Sequence, residues 1–344
     1  MAVRKTKKKK KSAGMVAAIV ITSFILLIVI VALVALGYIY LRLNGIKRIP
    51  QNQSSIVKPQ DETFEKDSGL ENNSAAVVDP GDISWPVTNP DTEDTISENW
   101  VFEDPDVINI LLIGIDGEGY SGRSDTMILC TFNKRERTAF MTSFLRDLYV
   151  QIPGYSDNRL NAAYAFGGME LLDATLKVNF GIQVDGHVMV DFNTFPQVID
   201  ALNGVDITLT QAEAEHLGLG DAGVYHMDGQ LAMNYARIRK IDSDFGRTNR
   251  QRTVIQSLFN RFKDLGWGEI LNAANQVLDL VYTDMDASTI LAYGSEVLGV
   301  QEIQQMHVPE DDEYYDAVIN EMMVLVPYLN DIHNRLGETL YGIN

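Results

Sequence analysis

The run YARIRKIDSDFGRTNRQR, Tyr235 to Arg252, holds five arginines and one lysine in eighteen residues of a chain whose formal net charge is -19. Beyond residue 100 the sequence has 16 Lys+Arg against 36 Asp+Glu, and six of those 16 lie between Arg237 and Arg252. Arg237 and Arg239 are two apart, so they face one way only on extended backbone, and the preceding helix must end before them. Asp242 or Asp244 would cap the next helix. Within that helix Arg247, Arg250 and Gln251 share a face at i, i+3 and i+4. Arginine in a first helical turn opposes the helix dipole, so such a residue should contribute little to stability. A helix N-terminus with converging guanidiniums suits a phosphate or diphosphate. The plainer alternative is a solvated basic face paired to the chain's acids. Nucleic acid is disfavoured by the overall negative charge.

A second charged group follows from topology. VINILLIGID (Val107–Asp116), DTMILCTFN (Asp125–Asn133) and RTAFMTSFLRD (Arg137–Asp147) read as three short strands. The connections between them are too short for a helical crossover, so both pairs should be antiparallel. One edge of the sheet then collects Asp116, Arg123, Asp125, Arg146 and Asp147. Ligand sites in α/β sheets favour such edges, although a surface ion-pair cluster would give the same pattern.

The elements that must hold these residues alternate. RLNAAYAFGG and MELLDATLKVNFGI read as helices, DGHVMVDF as a strand, NTFPQVIDAL as a helix, VDITL as a strand and MDGQLAMNYAR as a helix. GRTNRQRTVIQSLFNRFKDL is a longer amphipathic helix. Two more helices follow, then the strand QEIQQMHVP and a last helix from about Tyr315. Such alternation predicts an α/β fold with helices on both faces of one sheet.

Residues 1–14 carry seven positive charges and no negative one, and Ala13 to Leu41 has no charged side chain. That run exceeds the roughly 7–15 residues of a signal-peptide core and meets the roughly 20 needed to span a bilayer. The expected organisation is a basic cytoplasmic tail (1–14), a single transmembrane helix (15–41), a flexible linker rich in Asn, Ser, Asp and Pro (42–100) and an extracytoplasmic domain (101–344). The single cysteine, Cys130, excludes an internal disulfide and reads as a small buried residue of a strand. The five histidines are scattered, and neither HExxH nor GxSxG occurs.

The motifs NILLIGID, GRSDTMIL, SFLRDLYV, NAAYAFGG, VIDALNGVDITL and YARIRKIDSDFGRTNRQR occur in the order seen in the LytR-CpsA-Psr family, bacterial cell-wall glycopolymer transferases, and the sequence resembles that family over about Val107 to Leu265. Phe144-Leu145 stands where members often have Ile-Pro. The resemblance implies a three-layer α/β/α sandwich around a mixed central sheet, preceded by one N-terminal transmembrane helix. It implies transfer of a glycopolymer from a polyprenyl diphosphate carrier to peptidoglycan, forming a phosphodiester, with the prenyl chain in an apolar cavity walled by the buried faces of the helices around Leu171–Phe180 and Val254–Phe262. By motif, Asp116 and Asp125 would hold Mg2+. Arg123, Arg146, Arg237, Arg239 and Arg247 would bind the phosphates and act in catalysis, with Gln251 assisting and Asp244 beside them. The general base is open between Asp125 and Asp244. Two other readings stand beside this one: a non-catalytic envelope protein that binds polyprenyl diphosphate as scaffold or receptor, and a lipid pyrophosphatase.

Overall fold

The structure, a computed structural model, describes residues 39–49, 67, 75–87, 100–116, 122–238, 241, 244–264, 266–297, 300 and 303–343. The expected cytoplasmic tail and nearly all of the expected transmembrane helix lie outside these residues. Among the described residues no helix is long and apolar enough to cross a membrane.

Short strands β1 (Lys47–Arg48) and β2 (Ala76–Val77) precede the main body. Strands β3 (Val107–Ile115), β4 (Ser124–Asn133) and β5 (Thr138–Phe144) form the expected antiparallel meander. In the β4–β5 turn the Asn133 side-chain oxygen accepts from the amides of Arg135 and Glu136, at 3.1 and 3.0 Å. After the small pair β6 (Tyr149–Val150) and β7 (Asn158–Arg159), helix α1 (Leu160–Phe180) crosses back to β8 (Gly186–Asp191), which pairs with β3 in parallel. The two helical stretches expected here are one element with a kink, because Gly168 sits at φ 66°, ψ -151°, a conformation open to glycine alone.

Then come α2 (Thr194–Ala201), β9 (Val205–Leu209), α3 (Gln211–His216), β10 (Gly223–Met227), α4 (Gly229–Ala236), α5 (Asp244–Asp264) and α6 (Trp267–Val277). They are followed by β11 (Tyr282–Thr283), α7 (Ala287–Val297), β12 (Ile303–Val308), β13 (Tyr314–Ile319), β14 (Met322–Pro327) and α8 (Leu329–Leu336). The central sheet is mixed, in the order β1-β11-β8-β3-β4-β5-β12. On one face, Leu111, Ile113 and Leu129 pack against Leu172, Leu176 and Phe180 of α1 and Ile332 and Leu336 of α8. The other face carries α2, α4 and α5 with the β9–β10 hairpin, around Ile199, Ile207, Met227, Ala232 and Val254. This is the expected three-layer arrangement, except that VDITL (β9) pairs with β10 in a separate small sheet. Cys130 lies in β4, and burial pushes its thiol up to about 12.

Two expectations are corrected. The helix expected from Tyr315 is instead the β13–β14 hairpin, turned at Asn320 and Glu321 with φ of 50° and 63°, and only then α8. Parts of the expected linker are paired into sheets: β1 lies parallel to β11, and β2 lies parallel to β13. Trp85, next along the chain, donates to Asp157 at 2.9 Å and stacks on Tyr149. The apolar side chains Val78, Ile83 and Trp85 give this stretch a reason to leave solvent.

Candidate functional site

The register fixes which chain ends meet. Ile115 pairs with Ser124 across β3–β4 and with Asp191 across β3–β8. Phe144 pairs with Met127 and with Val308. The ends of β3, β5, β8 and β12 and the start of β4 therefore share one rim, as the short connections predicted. Just past the paired strands, the Asp116 amide donates to the Arg123 carbonyl at 3.1 Å, and the Arg123 amide donates to Asp116 Oδ1 at 2.6 Å. The Asp125 amide meets the same Arg123 carbonyl at 3.1 Å. Asp116 and Asp125 are thus brought to one place by the Arg123 backbone. Across the rim, Arg146 Nη1 donates to Asp125 Oδ1 at 2.9 Å. Asp147 lies 3.4 Å from both Arg146 and Arg159. Arg159 also holds Asp67 and donates to the Met323 carbonyl at 2.8 Å.

Helix α5 brings the arginine-rich run to this rim. The Phe245 ring meets His307 edge-on at 5.1 Å, so the helix starts beside the end of β12. It runs back along that strand, where Arg252 Nε donates to Gln305 Oε1 at 3.3 Å. The arginines then divide. Arg237, at the C-cap of α4, is exposed, with its guanidinium carbon 4.6 Å from the centroid of the Phe192 ring. Arg247, 2 % exposed, is buried. Arg250 is buried too, donating to the Ile238 carbonyl at 2.8 Å and facing Glu213 at 3.4 Å, so it ties α5 to α3. A buried first-turn Arg247 cannot be the stability-neutral residue that its position in the helix predicted. Arg239 lies outside the described residues, and Asp244 is described only as the first residue of α5.

Beneath Arg237 is a cavity of about 300 Å3 between the sheet and α5. Leu112, Gly114 and Val190 line it from the sheet, and Ile255 and Leu258 from α5. Among the described residues, the only charged ones of its lining are Asp191 and Arg237. Gln251 also lines it, and its side-chain oxygen is buried without a hydrogen-bond partner in the structure. A buried polar atom left open this way needs an account, and a ligand in the cavity would give one. The apolar residues here are half-buried where their strand neighbours are fully buried, as expected of walls facing a space rather than a packed core. The α5 wall was anticipated. The α1 wall is corrected: Leu172, Leu176 and Phe180 are fully buried on the other face of the sheet.

Two residues of the site were not anticipated. Asp191, at the end of β8, accepts from the amides of Asn193 and Thr194 at 2.9 and 2.8 Å and so opens α2. Phe192 follows it beneath Arg237. The signal was available, since a strand parallel to β3 must end at the same rim.

Comparison with known proteins now decides the family. Residues 81–336 match the model described as LytR_cpsA_psr family. The chain belongs to the LytR-CpsA-Psr family. It is 35% identical over 229 residues to the polyisoprenyl-teichoic acid–peptidoglycan teichoic acid transferase TagU of Oceanobacillus iheyensis, covering 62% of this chain and 70% of the relative. It is 33% identical over 217 residues to the transferase of the same description, TagT, of Bacillus subtilis, covering 58% and 67%. Among solved structures, TagT bound to LIIa-WTA superposes with a TM-score of 0.58 at 26% identity, over 75% of this chain and 99% of that one.

Proposed function

We propose that this protein transfers a glycopolymer from a polyprenyl diphosphate carrier to peptidoglycan, leaving a phosphodiester link. The observation that carries the reading is a rim of arginines and carboxylates at an apolar cavity whose only charged lining residues, among those described, are Asp191 and Arg237. That juxtaposition matches an amphiphile with a multiply charged head and a hydrocarbon tail. The family membership and the names of TagU and TagT point the same way.

In this reading Arg237, Arg239, Arg247, Arg146 and Arg123 grip the diphosphate, and the prenyl chain enters the cavity between β3, β8 and α5. Arginine forks match phosphate oxygens and keep their charge at any working pH. A wall-sugar hydroxyl attacks the phosphorus that bears the glycopolymer. The P–O bond to the lipid phosphate breaks, polyprenyl phosphate leaves, and the hydroxyl proton passes to a base, with Asp125 and Asp244 as the candidates. Charge neutralisation and alignment dominate such a reaction. Asp116 and Asp125 offer hard oxygen donors at one spot, which fits Mg2+ held by one or two carboxylates plus phosphate oxygens. The ion would supply further neutralisation of the diphosphate. The basic tail and apolar run preceding the domain would anchor it on the outer face of the membrane, where the lipid carrier and the wall meet.

The test is direct. Detergent-solubilised protein is titrated with polyprenyl diphosphate and then given lipid-linked polymer and peptidoglycan fragments. Formation of the phosphodiester product, lost in Arg237→Ala, supports the transferase. Binding without product identifies a scaffold or receptor, and release of polymer phosphate to water identifies a pyrophosphatase.

A further inference from the structure

A second cavity, of about 670 Å3, lies at the end of β3 opposite the rim, and none of its lining residues takes part in the proposed reaction. Its size falls within the roughly 300–1,000 Å3 of small-ligand sites. β3 is nine residues long, so the cleft and the rim are roughly 25–30 Å apart.

The lining mixes carboxylates, amides and phenols. Asp185 Oδ2 accepts the Asn109 amide at 2.8 Å, and Asn109 Nδ2 donates to the Tyr341 hydroxyl at 2.7 Å. Asp185 acts electrostatically on both Tyr341 and Tyr293. Glu103, Asp104 and Lys134 also line it, and the Lys134 ammonium donates to the Pro105 carbonyl at 2.6 Å. Asp104 already holds Arg135 at 3.1 Å, so an anionic polymer would meet two further carboxylates, Glu103 and Asp185, and one ammonium in use. Among the described residues no group of three or more His, Cys, Asp or Glu side chains is arranged to hold a metal ion. The chemistry that remains is an uncharged polyol. Vicinal hydroxyls can donate to carboxylates and accept from amides and phenols, while the carbon face of a sugar ring lies on an aromatic ring such as Tyr293.

We propose that this cleft binds the uncharged sugar backbone of the peptidoglycan acceptor. The inference rests on the transferase reading. In that reading the lipid-linked donor is held at the rim by its diphosphate, and the cleft gives the acceptor a handle of its own. Gripping the same glycan strand 25–30 Å away turns delivery of its hydroxyl into an intramolecular event, with an effective concentration that reaches the millimolar range for short tethers.

The test uses the detergent-solubilised full chain and chitotetraose, an uncharged oligomer of N-acetylglucosamine, as probe. Wild type should bind it, Tyr293→Ala and Asp185→Asn should each weaken binding at least tenfold, and Arg237→Ala should bind it like wild type. Thermal melts control for folding, and Tyr293→Ala keeps the test open if Asp185→Asn, which alters the partner of the Asn109 amide, does not fold. No binding to wild type, or binding unchanged in a folded Tyr293→Ala, overturns the proposal. So does loss of binding in Arg237→Ala, which would put the sugar at the rim. A parallel titration with polyprenyl diphosphate separates the two readings: if the lipid fails to bind while chitotetraose binds at the cleft, the transferase reading falls and the sugar site stands.

Discussion

Arg237→Ala and Arg250→Ala remove the same side chain thirteen positions apart, and they should fail in opposite ways. Arg237 stands in solvent, and its described contact is with the Phe192 ring. An exposed cation–π contact is worth about 0.5–1 kcal/mol. For a chain of this size that lowers the melting temperature by no more than about 2–4 °C. Its charge-assisted hydrogen bond to a phosphate would be worth about 1.5–3 kcal/mol, or roughly 10- to 150-fold in affinity. Arg237→Ala should therefore stay folded, bind polyprenyl diphosphate at least tenfold more weakly and transfer almost nothing.

Arg250 is 2 % exposed and faces Glu213, itself 8 % exposed. Removing it takes the cation from a buried carboxylate whose remaining described hydrogen bonds are to Thr210, at about 3–5 kcal/mol. Arg250→Ala should melt well below wild type, and the fraction that remains folded should still bind lipid. The assays are a thermal melt and a lipid titration of each variant, run side by side. Wild-type affinity in Arg237→Ala, or a loss of binding explained entirely by unfolding, would refute the division of the arginines into ligand-binding and structural ones.

Other outcomes follow from separate parts of the structure. Val190→Trp should fill the cavity from a half-buried wall position and abolish co-purification of prenyl lipid, read by mass spectrometry, while shifting the melt by only a few degrees. His187 hydrogen-bonds Asp173 at 2.8 Å and Asp284 at 2.7 Å. Burial alone would lower its pKa, but the two carboxylates outweigh burial and raise it to about 9 from 6.5. A raised value means that the stabilisation, up to roughly 3 kcal/mol, is fully present below pH 6.5 and lost as pH rises through 9. The melting temperature of wild type should fall across that window, and His187→Phe should show a flatter profile. A reporter fused after Asn344 should be extracytoplasmic, and a cytoplasmic signal would reverse the orientation drawn from the lysine block.

The rim was legible because short connections leave a chain few options. Eight or nine residues between two apolar runs cannot cross over, so Asp116 and Asp125 had to meet. Asp191 was within reach of the same argument, which needed only the parallel pairing of β8 to β3. The β13–β14 hairpin was hidden for a different reason. YYDAVINEMMVLVP has enough apolar residues to satisfy a helical or a strand period, and its turn is Asn-Glu rather than Asn-Gly, so the usual punctuation is missing. β1 and β2, at two residues each, are too short to leave any period. The position of the cavity was half legible. An amphipathic helix shows that α5 covers the sheet, but only the structure shows that Leu172, Leu176 and Phe180 of α1 are fully buried while α5 leaves a space.

The arginine-rich run makes sense as a field as much as a set of contacts. Three of its guanidiniums, on Arg247, Arg250 and Arg252, are nearly removed from water. The hydrogen bonds of Arg252 go to the neutral amides of Gln305 and Asn249, with Glu310 acting from farther off, and burial lowers its pKa to about 10. Burying charge with neutral partners is unfavourable for folding alone. Arg252 therefore keeps a poorly screened charge on α5, while the charge of Arg250 is balanced by Glu213. An acidic domain would otherwise repel a diphosphate. The exposed guanidinium of Arg237 stands at the mouth of the apolar cavity, so the site favours anions that carry a hydrocarbon chain.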